Sequence, residues 1–99
     1  MKLQVKVHVN NDTSKEVVER LVNENLKNKL DNYLKKFEGQ NKEGTIELKV
    51  EKNKKDLFNA ILNVNLDGNT FRYSREDYKN LDDVVNHLFD HLKEELSSK

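Results

Sequence analysis

The chain has 99 residues, of which 34% are apolar and 36% are charged, with 18 basic and 18 acidic residues. A chain of this length and composition can bury one modest core, so a single domain over residues 1–99 is expected. Cysteine is absent, which excludes a disulfide framework, a thiolate metal site and a cysteine nucleophile. No segment has the apolar run of a signal peptide or a membrane-spanning helix. A cytoplasmic protein with no membrane partner is therefore expected.

The first two elements are predicted to be a strand and a long helix. Apolar and polar residues alternate from Leu3 to Val9, as in a half-buried strand. After an asparagine-rich break, Thr13 and Glu16 have the spacing of a capping box, which predicts a helix start. The helix is predicted to end at Gly39. Its apolar stripe is formed by Val17, Val18, Leu21, Val22, Leu26, Leu30, Tyr33, Leu34 and Phe37.

Three further strands are predicted after a polar loop at residues 40–44. Strand two alternates over residues 46–51, a turn follows at residues 53–56, and strand three alternates over residues 58–66. Residues 67–69, Asp-Gly-Asn, supply the positive-φ positions of a tight hairpin into strand four. The residues predicted to face the core are Ile46, Leu48, Val50, Phe58, Ala60, Leu62, Val64, Leu66, Phe71 and Tyr73.

From Tyr78 the apolar period lengthens again and predicts a second amphipathic helix. The element order is then β-α-β-β-β-α, an α+β fold. Since a strand-helix-strand unit usually forms a right-handed parallel crossover, strands one and two should be parallel, with both helices on one face of a four-stranded sheet. The other face should lack helices. It should carry Lys6, His8, Glu47, Lys49, Glu51, Asn59, Asn63, Asn65 and Arg72.

Charge is distributed unevenly: residues 1–44 carry +2, residues 45–75 carry +2 and residues 76–99 carry −4. Because phosphate contacts depend on local clusters, a nucleic-acid surface built from the sheet edge, the turn at residues 52–55 and the first helix is one interpretation. A solvated lysine-rich turn is the other, since lysines are common at exposed turns and edge strands. The residues alone favour the second interpretation.

The sequence contains no recognisable catalytic arrangement. His87 and His91 are four residues apart, but both lie away from the apolar stripe and should face solvent, and no Glu follows the first His as in a HExxH zinc protease. A Gly-rich phosphate loop and a nucleophile elbow are also missing. We expect no enzyme activity, no catalytic residue, no metal and no cofactor.

The order and spacing of three segments resemble the ribosome hibernation-promoting factors, also called ribosome-associated inhibitor or sigma-54 modulation proteins. Residues 30–33, Leu-Asp-Asn-Tyr, match the family's Leu-x-x-Tyr on a long first helix, with Lys29 at the basic position before it. Residues 48–52, Leu-Lys-Val-Glu-Lys, resemble the second strand, and residues 60–65 resemble the third. The resemblance covers nearly the whole chain.

The entry to the last helix also resembles the family, with two departures. Residues 76–82 follow the pattern acidic-x-Tyr-Ala-Ala-Ile-Asp, except that Lys79 and Asn80 replace the alanines. The basic end that many relatives carry on this helix is replaced by acidic residues, which would meet phosphate unfavourably. These residues are Asp90, Glu94 and Glu95.

The resemblance implies a protein that binds the small ribosomal subunit, through its rRNA, in the mRNA and tRNA channel and inhibits translation during stress or stationary phase. It implies a monomer away from the ribosome, with no small-molecule substrate, equivalent to a short hibernation factor or to the N-terminal domain of a long form. Family members hold rRNA with lysines and arginines from the helices and the sheet. The matching or nearby candidates here are Lys29, Lys49, Lys52, Arg72, Arg75 and Lys79.

Two alternatives remain open at the level of sequence. One is a general RNA-binding module such as a double-stranded RNA-binding domain, although the helix-first order of that domain argues against it. The other is a non-catalytic scaffold or interaction protein on the same fold. A contiguous basic patch joining Lys49, Lys52, Arg72 and Lys79 would favour RNA, and acidic residues interleaved among these cations would favour the scaffold.

Overall fold

The computed structural model describes residues 2–35 and 43–97. The described elements are β1 (Lys2–Val9), α1 (Lys15–Asn25), a π-helical segment (Leu26–Leu30), α2 (Asp31–Lys35), β2 (Glu43–Lys52), β3 (Phe58–Leu66), β4 (Asn69–Tyr78) and α3 (Leu81–Ser97).

The four strands form one sheet in the order β1-β2-β3-β4. β1 is parallel to β2, whereas β3 is antiparallel to both β2 and β4. The helical region from α1 to α2 connects the two parallel strands, and its apolar side packs with α3 against the sheet. The predicted α+β fold and its β-α-β-β-β-α order are therefore confirmed.

The core lies between one face of the sheet and the helices, because alternate residues of each central strand point to the same side. The predicted inward positions of β2 are buried, as are four of the five predicted in β3, and the fifth, Phe58, is half-buried. The fully buried side chains with the largest volumes are Phe89, Leu30, Ile46, Leu48, Leu62, Leu88 and Leu92.

The first helix begins one residue later than the capping box predicts. Ser14 is the N-cap, with an extended backbone, and its hydroxyl accepts a 3.3 Å hydrogen bond from the Val17 N–H. Thr13 is buried instead, and its hydroxyl donates to Asn10 Oδ1 at 2.9 Å. Because that bond engages the Thr13 side chain, the neighbouring serine takes the capping role.

The long helical region is interrupted by the π-helical segment at Leu26–Leu30, where the sequence predicted a uniform α-helix. A π-helical turn contains an extra residue and shifts the face that the following residues present. Asn25, directly before it, is buried, whereas Leu26 is half-buried. The predicted stripe is confirmed at Leu30, which is fully buried. The last residue of the stripe, Phe37, and the predicted end of the helix, Gly39, lie outside the described residues.

β2 begins earlier than predicted. Glu43 and Gly44, expected in a loop, pair with β1, and Gly44 also pairs with Leu66 of β3. A Cβ at position 44 would lie 3.0 Å from the side chains of both Leu3 and Leu66. Glycine therefore lets the neighbouring leucines pack closely across the sheet. Residues 40–42 of the predicted loop lie outside the described residues.

β4 is longer than predicted, because residues 75–78 extend the strand and α3 begins only at Leu81. Phe58 pairs with Tyr78 and Ala60 pairs with Arg75, so one residue of β3 faces two of β4. This β-bulge brings Tyr78 back to the same face as Phe58, against the edge of the core.

Asparagine side chains hold the bulge in place. Asp77, inside it, has a positive φ of 59°, and its N–H donates to Asn59 Oδ1 at 3.0 Å. Asn53 Nδ2, from the turn before β3, donates to Asn59 Oδ1 at 3.1 Å and to Asp77 Oδ1 at 2.8 Å. These bonds satisfy polar groups that the interrupted ladder leaves unpaired.

The predicted hairpin between β3 and β4 is confirmed. Asp67 and Gly68 have φ values of 52° and 84°, and Leu66 pairs with Asn69. These values suit a two-residue turn that follows the twist of the strands. The predicted turn before β3 is also confirmed, because Asn53 Oδ1 accepts hydrogen bonds from the backbone N–H groups of Lys55 and Leu57.

The strand register can be tested at two neighbouring positions of β3. Leu62 has no exposed surface, so Leu62→Ala should lower the free energy of unfolding by about 2 to 5 kcal/mol. Ile61 faces the helix-free side, and Ile61→Ala should cost about 1 kcal/mol or less. Urea unfolding measures both; equal losses would show that the two side chains are not on opposite faces.

Candidate nucleic-acid interface

The helix-free face of the sheet, called the outer face below, is predominantly polar. Cross-strand pairing defines two neighbouring rows of outward side chains. The first row contains Lys6, Glu47, Asn63 and Arg72. The second contains His8, Lys49, Ile61 and Ser74. Two of the six candidate RNA-binding residues, Lys49 and Arg72, therefore lie on this face, in adjacent rows and separated by β3.

Acidic side chains are interleaved with the cations of the outer face. Glu47 lies between the two basic ends of its row; its carboxylate is 3.2 Å from His8 Nε2 and 4.0 Å from Lys49 Nζ. Glu51 accepts a 3.4 Å hydrogen bond from Asn59. Arg72, at the end of the row that contains Glu47, is exposed. The outer face is thus a mixed surface with local positive positions.

Lys52 lies on the opposite side of the sheet from Lys49. It continues the inward alternation of β2, and its Nζ lies 5.8 Å from the centroid of the Phe58 ring and 3.9 Å from Asp56 Oδ1. Its backbone exchanges two hydrogen bonds with the Asn10 side chain, at 3.2 and 3.3 Å. The structure therefore does not bring Lys49 and Lys52 together.

Lys29 connects the π-helical segment with α3. Its Nζ lies 2.6 Å from Asp90 Oδ1 and 3.3 Å from the Asn86 carbonyl oxygen, and 23% of its side chain is exposed. One turn earlier, Asn25 Nδ2 donates to the Leu21 carbonyl and to Asn86 Oδ1, at 2.8 and 2.9 Å. These contacts form an interhelical clamp, defined by Asn25, Lys29, Asn86 and Asp90.

Arg75 is half-buried on the helix-covered side. Its guanidinium donates to the Ser74 carbonyl at 2.7 Å and contacts His91 Nε2. His91 stacks on Tyr73 with ring centroids 5.8 Å apart, so it is half-buried and not solvent-facing as predicted. His87 is exposed, as predicted. No group of three or more metal-ligating side chains occurs among residues 2–35 and 43–97.

Lys79 is exposed in the connection between β4 and α3. Three candidates, Lys49, Arg72 and Lys79, are accordingly exposed, whereas the other three are half-buried. Lys6 is an additional exposed cation in the row of Arg72. Strand alternation placed Lys6 on this face, but no motif marked it as a candidate.

Comparison with solved structures identifies the fold. The structure is similar to a crystal structure of the Thermus thermophilus Protein Y N-terminal domain, with a TM-score of 0.72 and 19% sequence identity. The match covers 99% of this chain and 98% of that domain. Family models and curated proteins gave no match. The match shows that the two chains share their fold over nearly their full length. None of the described helices is long and apolar enough to cross a membrane.

The interhelical clamp predicts a structural role for Lys29. In a double-mutant cycle, Lys29→Met and Asp90→Asn should show a coupling energy of about 0.5 to 1.5 kcal/mol, because each removes the same ion pair. The matched cycle uses Lys35→Met and Asp31→Asn, an exposed pair 3.1 Å apart on α2, and should give about 0.5 kcal/mol or less. Equal coupling in the two cycles would argue against the clamp.

The burial of the Tyr73 hydroxyl predicts that the free energy of unfolding falls at alkaline pH. Burial raises the pKa of the Tyr73 hydroxyl above its ordinary value, and the nearby Glu95 carboxylate adds to the rise. The unfolded chain ionises near pH 10, so this contribution is complete below about pH 9 and is lost as the pH rises above about 10. Tyr73→Phe should therefore lose less stability than the parent as the pH rises above about 10. Identical losses in urea unfolding would contradict this assignment.

Proposed function

We propose, from the fold shared with the Protein Y N-terminal domain, that this chain binds the small ribosomal subunit in the mRNA and tRNA channel and inhibits translation during stress or stationary phase. The observation that carries the proposal is the β-α-β-β-β-α fold over the whole chain, which is the fold implied by the resemblance to hibernation factors. Residues 30–33, 48–52 and 76–82 support it from the sequence.

The proposed mechanism is exclusion, which requires no reacting group. The domain extends 44 × 24 × 22 Å, and a body of this size lodged in a channel prevents mRNA and tRNA from occupying the same volume. We therefore propose a non-enzymatic, cytoplasmic protein, monomeric away from the ribosome. Its partner would be rRNA of the small subunit, and its action would need no cofactor or small-molecule substrate.

The outer face would supply the central contact with rRNA. Lys49 and Arg72 would bind phosphates, and Lys79 would add a contact at the start of α3. Between the two sheet cations, Asn63 offers an amide that can donate to phosphate or ribose oxygens. Glu47 weakens this surface, so phosphate should contact the Arg72 end of its row more readily than the end near His8.

The other three candidates would contribute less to rRNA binding. Lys29, Lys52 and Arg75 would first have to leave partners within the domain, which are Asp90, Asp56 and His91 respectively. The cost of breaking these contacts offsets part of the gain from binding phosphate. We retain them as secondary candidates.

A protein-interaction role without RNA is the second candidate function. Glu47 and Glu51 lie among the cations of the outer face, and acidic residues interleaved in this way favour a protein partner over RNA. A net charge of zero agrees with this alternative.

Sedimentation with purified small subunits distinguishes the two candidates. Co-sedimentation should weaken as salt is raised from low to physiological concentration, because phosphate contacts release counterions. Binding should also be lost when mRNA and initiator tRNA already occupy the channel. Unchanged binding to filled subunits would contradict the channel site, and absence of binding at both salt concentrations would contradict ribosome binding altogether.

A charge-reversal variant and a matched control test whether the outer face binds rRNA. Lys49→Glu with Arg72→Glu should weaken small-subunit binding by about tenfold or more and reduce the slope of log affinity against log salt by about two. The control, Arg20→Glu with Lys93→Glu, changes charge equally at exposed positions of α1 and α3. It should weaken binding by about threefold or less. Equal losses would show that overall charge, not the outer face, determines affinity.

A further inference from the structure

We propose that the free edge of β1 is a docking site for an extended segment of a partner protein in which acidic and apolar residues alternate. The segment would pair with β1 as a fifth strand of the sheet, a common mode of peptide recognition. This proposal is independent of ribosome binding, because it concerns the sheet edge and the side of β1 that faces α1.

β1 is an edge strand whose protection against further pairing is limited to its two lysines, Lys2 and Lys6. It pairs with β2 over its whole length, from Lys2 to Val9, with no register shift, and no other described strand pairs with it. It contains neither proline nor glycine. Natural proteins protect exposed edges with bulges, prolines or charges that hinder further pairing.

The opposite edge of the sheet, β4, is protected against pairing with a further strand. β4 carries the bulge at residues 75–78, where Asp77 adopts positive φ. Glu76 and Asp77 add two exposed acids at the same place. A strand approaching this part of β4 would meet negative charge and an interrupted row of backbone hydrogen-bonding groups. The corresponding row on β1 is continuous.

An apolar groove accompanies the free edge. Val5 points to the helix side, but α1 leaves it 40% exposed, which makes it the single exposed large apolar side chain among the described residues. A groove of about 440 Å³ lies between β1 and α1. Its apolar lining comes from Val5, Val7 and Val22, and its helical rim from Lys15, Glu19 and Asn23. Every second side chain of an added strand would point into this groove.

The positive side chains beside the groove favour an acidic partner. The outward side chains beside the groove are Lys6 and His8, and β1 contains no acidic residue. The only acid in the groove lining, Glu19, lies 3.9 Å from Lys15, and Glu47 of β2 faces His8. Acidic residues at the intervening positions of the added strand would therefore pair with Lys6 and His8. A second copy of β1 would place like charges together, which is unfavourable across strands.

The test titrates isotope-labelled protein with a capped peptide of the length of β1 that alternates glutamate and valine. Backbone amide shifts should change saturably along β1, and its amide hydrogen exchange should slow severalfold. Peptides that replace glutamate by lysine, or valine by serine, should bind at least about tenfold more weakly, a difference of about 1.4 kcal/mol. No shifts along β1, or equal binding of all three peptides, would overturn the proposal.

Three variants sharpen the test. Val5→Lys should reduce peptide affinity at least about tenfold. The control is Thr70→Lys, which introduces the same side chain at an exposed position of the other edge strand, β4, and it should leave affinity unchanged. Lys6→Glu, on the outward side of β1, should reverse the preference in favour of the lysine-valine peptide. Retained binding by Val5→Lys, or an unchanged preference in Lys6→Glu, would contradict the site. Dimerisation of the parent that Val5→Lys abolishes would assign the edge to a second copy instead and overturn the proposal.

Discussion

One-sided burial of the sheet is the constraint on which the rest of the structure depends. Ile46, Leu48, Leu62 and Val64 on β2 and β3 are almost completely buried, and each large apolar side chain removed from water contributes about 1.5 to 3 kcal/mol. Their alternation places all of this apolar surface on one face, so both helices must pack there. None of the described helices covers the opposite face, which can therefore carry charged and amide side chains.

The same constraint determines which cations are available to a partner. Lys49 and Arg72 are outward on their strands, and no helix covers them. Lys52 and Arg75 have the opposite alternation, so they lie on the helix-covered side and contact Phe58 and His91. Position in the strand therefore separates basic residues that look equivalent in the sequence.

Local patterns were sufficient to predict the architecture. Period-two alternation gave the inward rows of β2 and β3, and Asp67-Gly68 gave the hairpin turn, because these features depend on residues close together in the chain. The predictions failed where side-chain hydrogen bonds, some of them between residues distant in the chain, decide the outcome. Asn10 engages Thr13 and leaves Ser14 as the cap, and Asn53 and Asn59 stabilise the bulge that extends β4.

Less of the candidate site could be predicted, because some of its contacts join residues that are far apart in the chain. Alternation places Lys49 and Arg72 on the outer face, but nothing local to Lys29 indicates that Asp90 and Asn86, about sixty residues away, bind its ammonium group. A contact of this kind depends on how two helices pack.

Cryo-electron microscopy of the chain bound to purified small subunits would test the proposed function most directly. We expect density for the domain in the mRNA and tRNA channel, with Lys49 and Arg72 facing rRNA phosphates and the ion pair of Lys29 with Asp90 intact. A domain bound outside the channel, or one that presents its helices to the rRNA and its outer face to solvent, would contradict it.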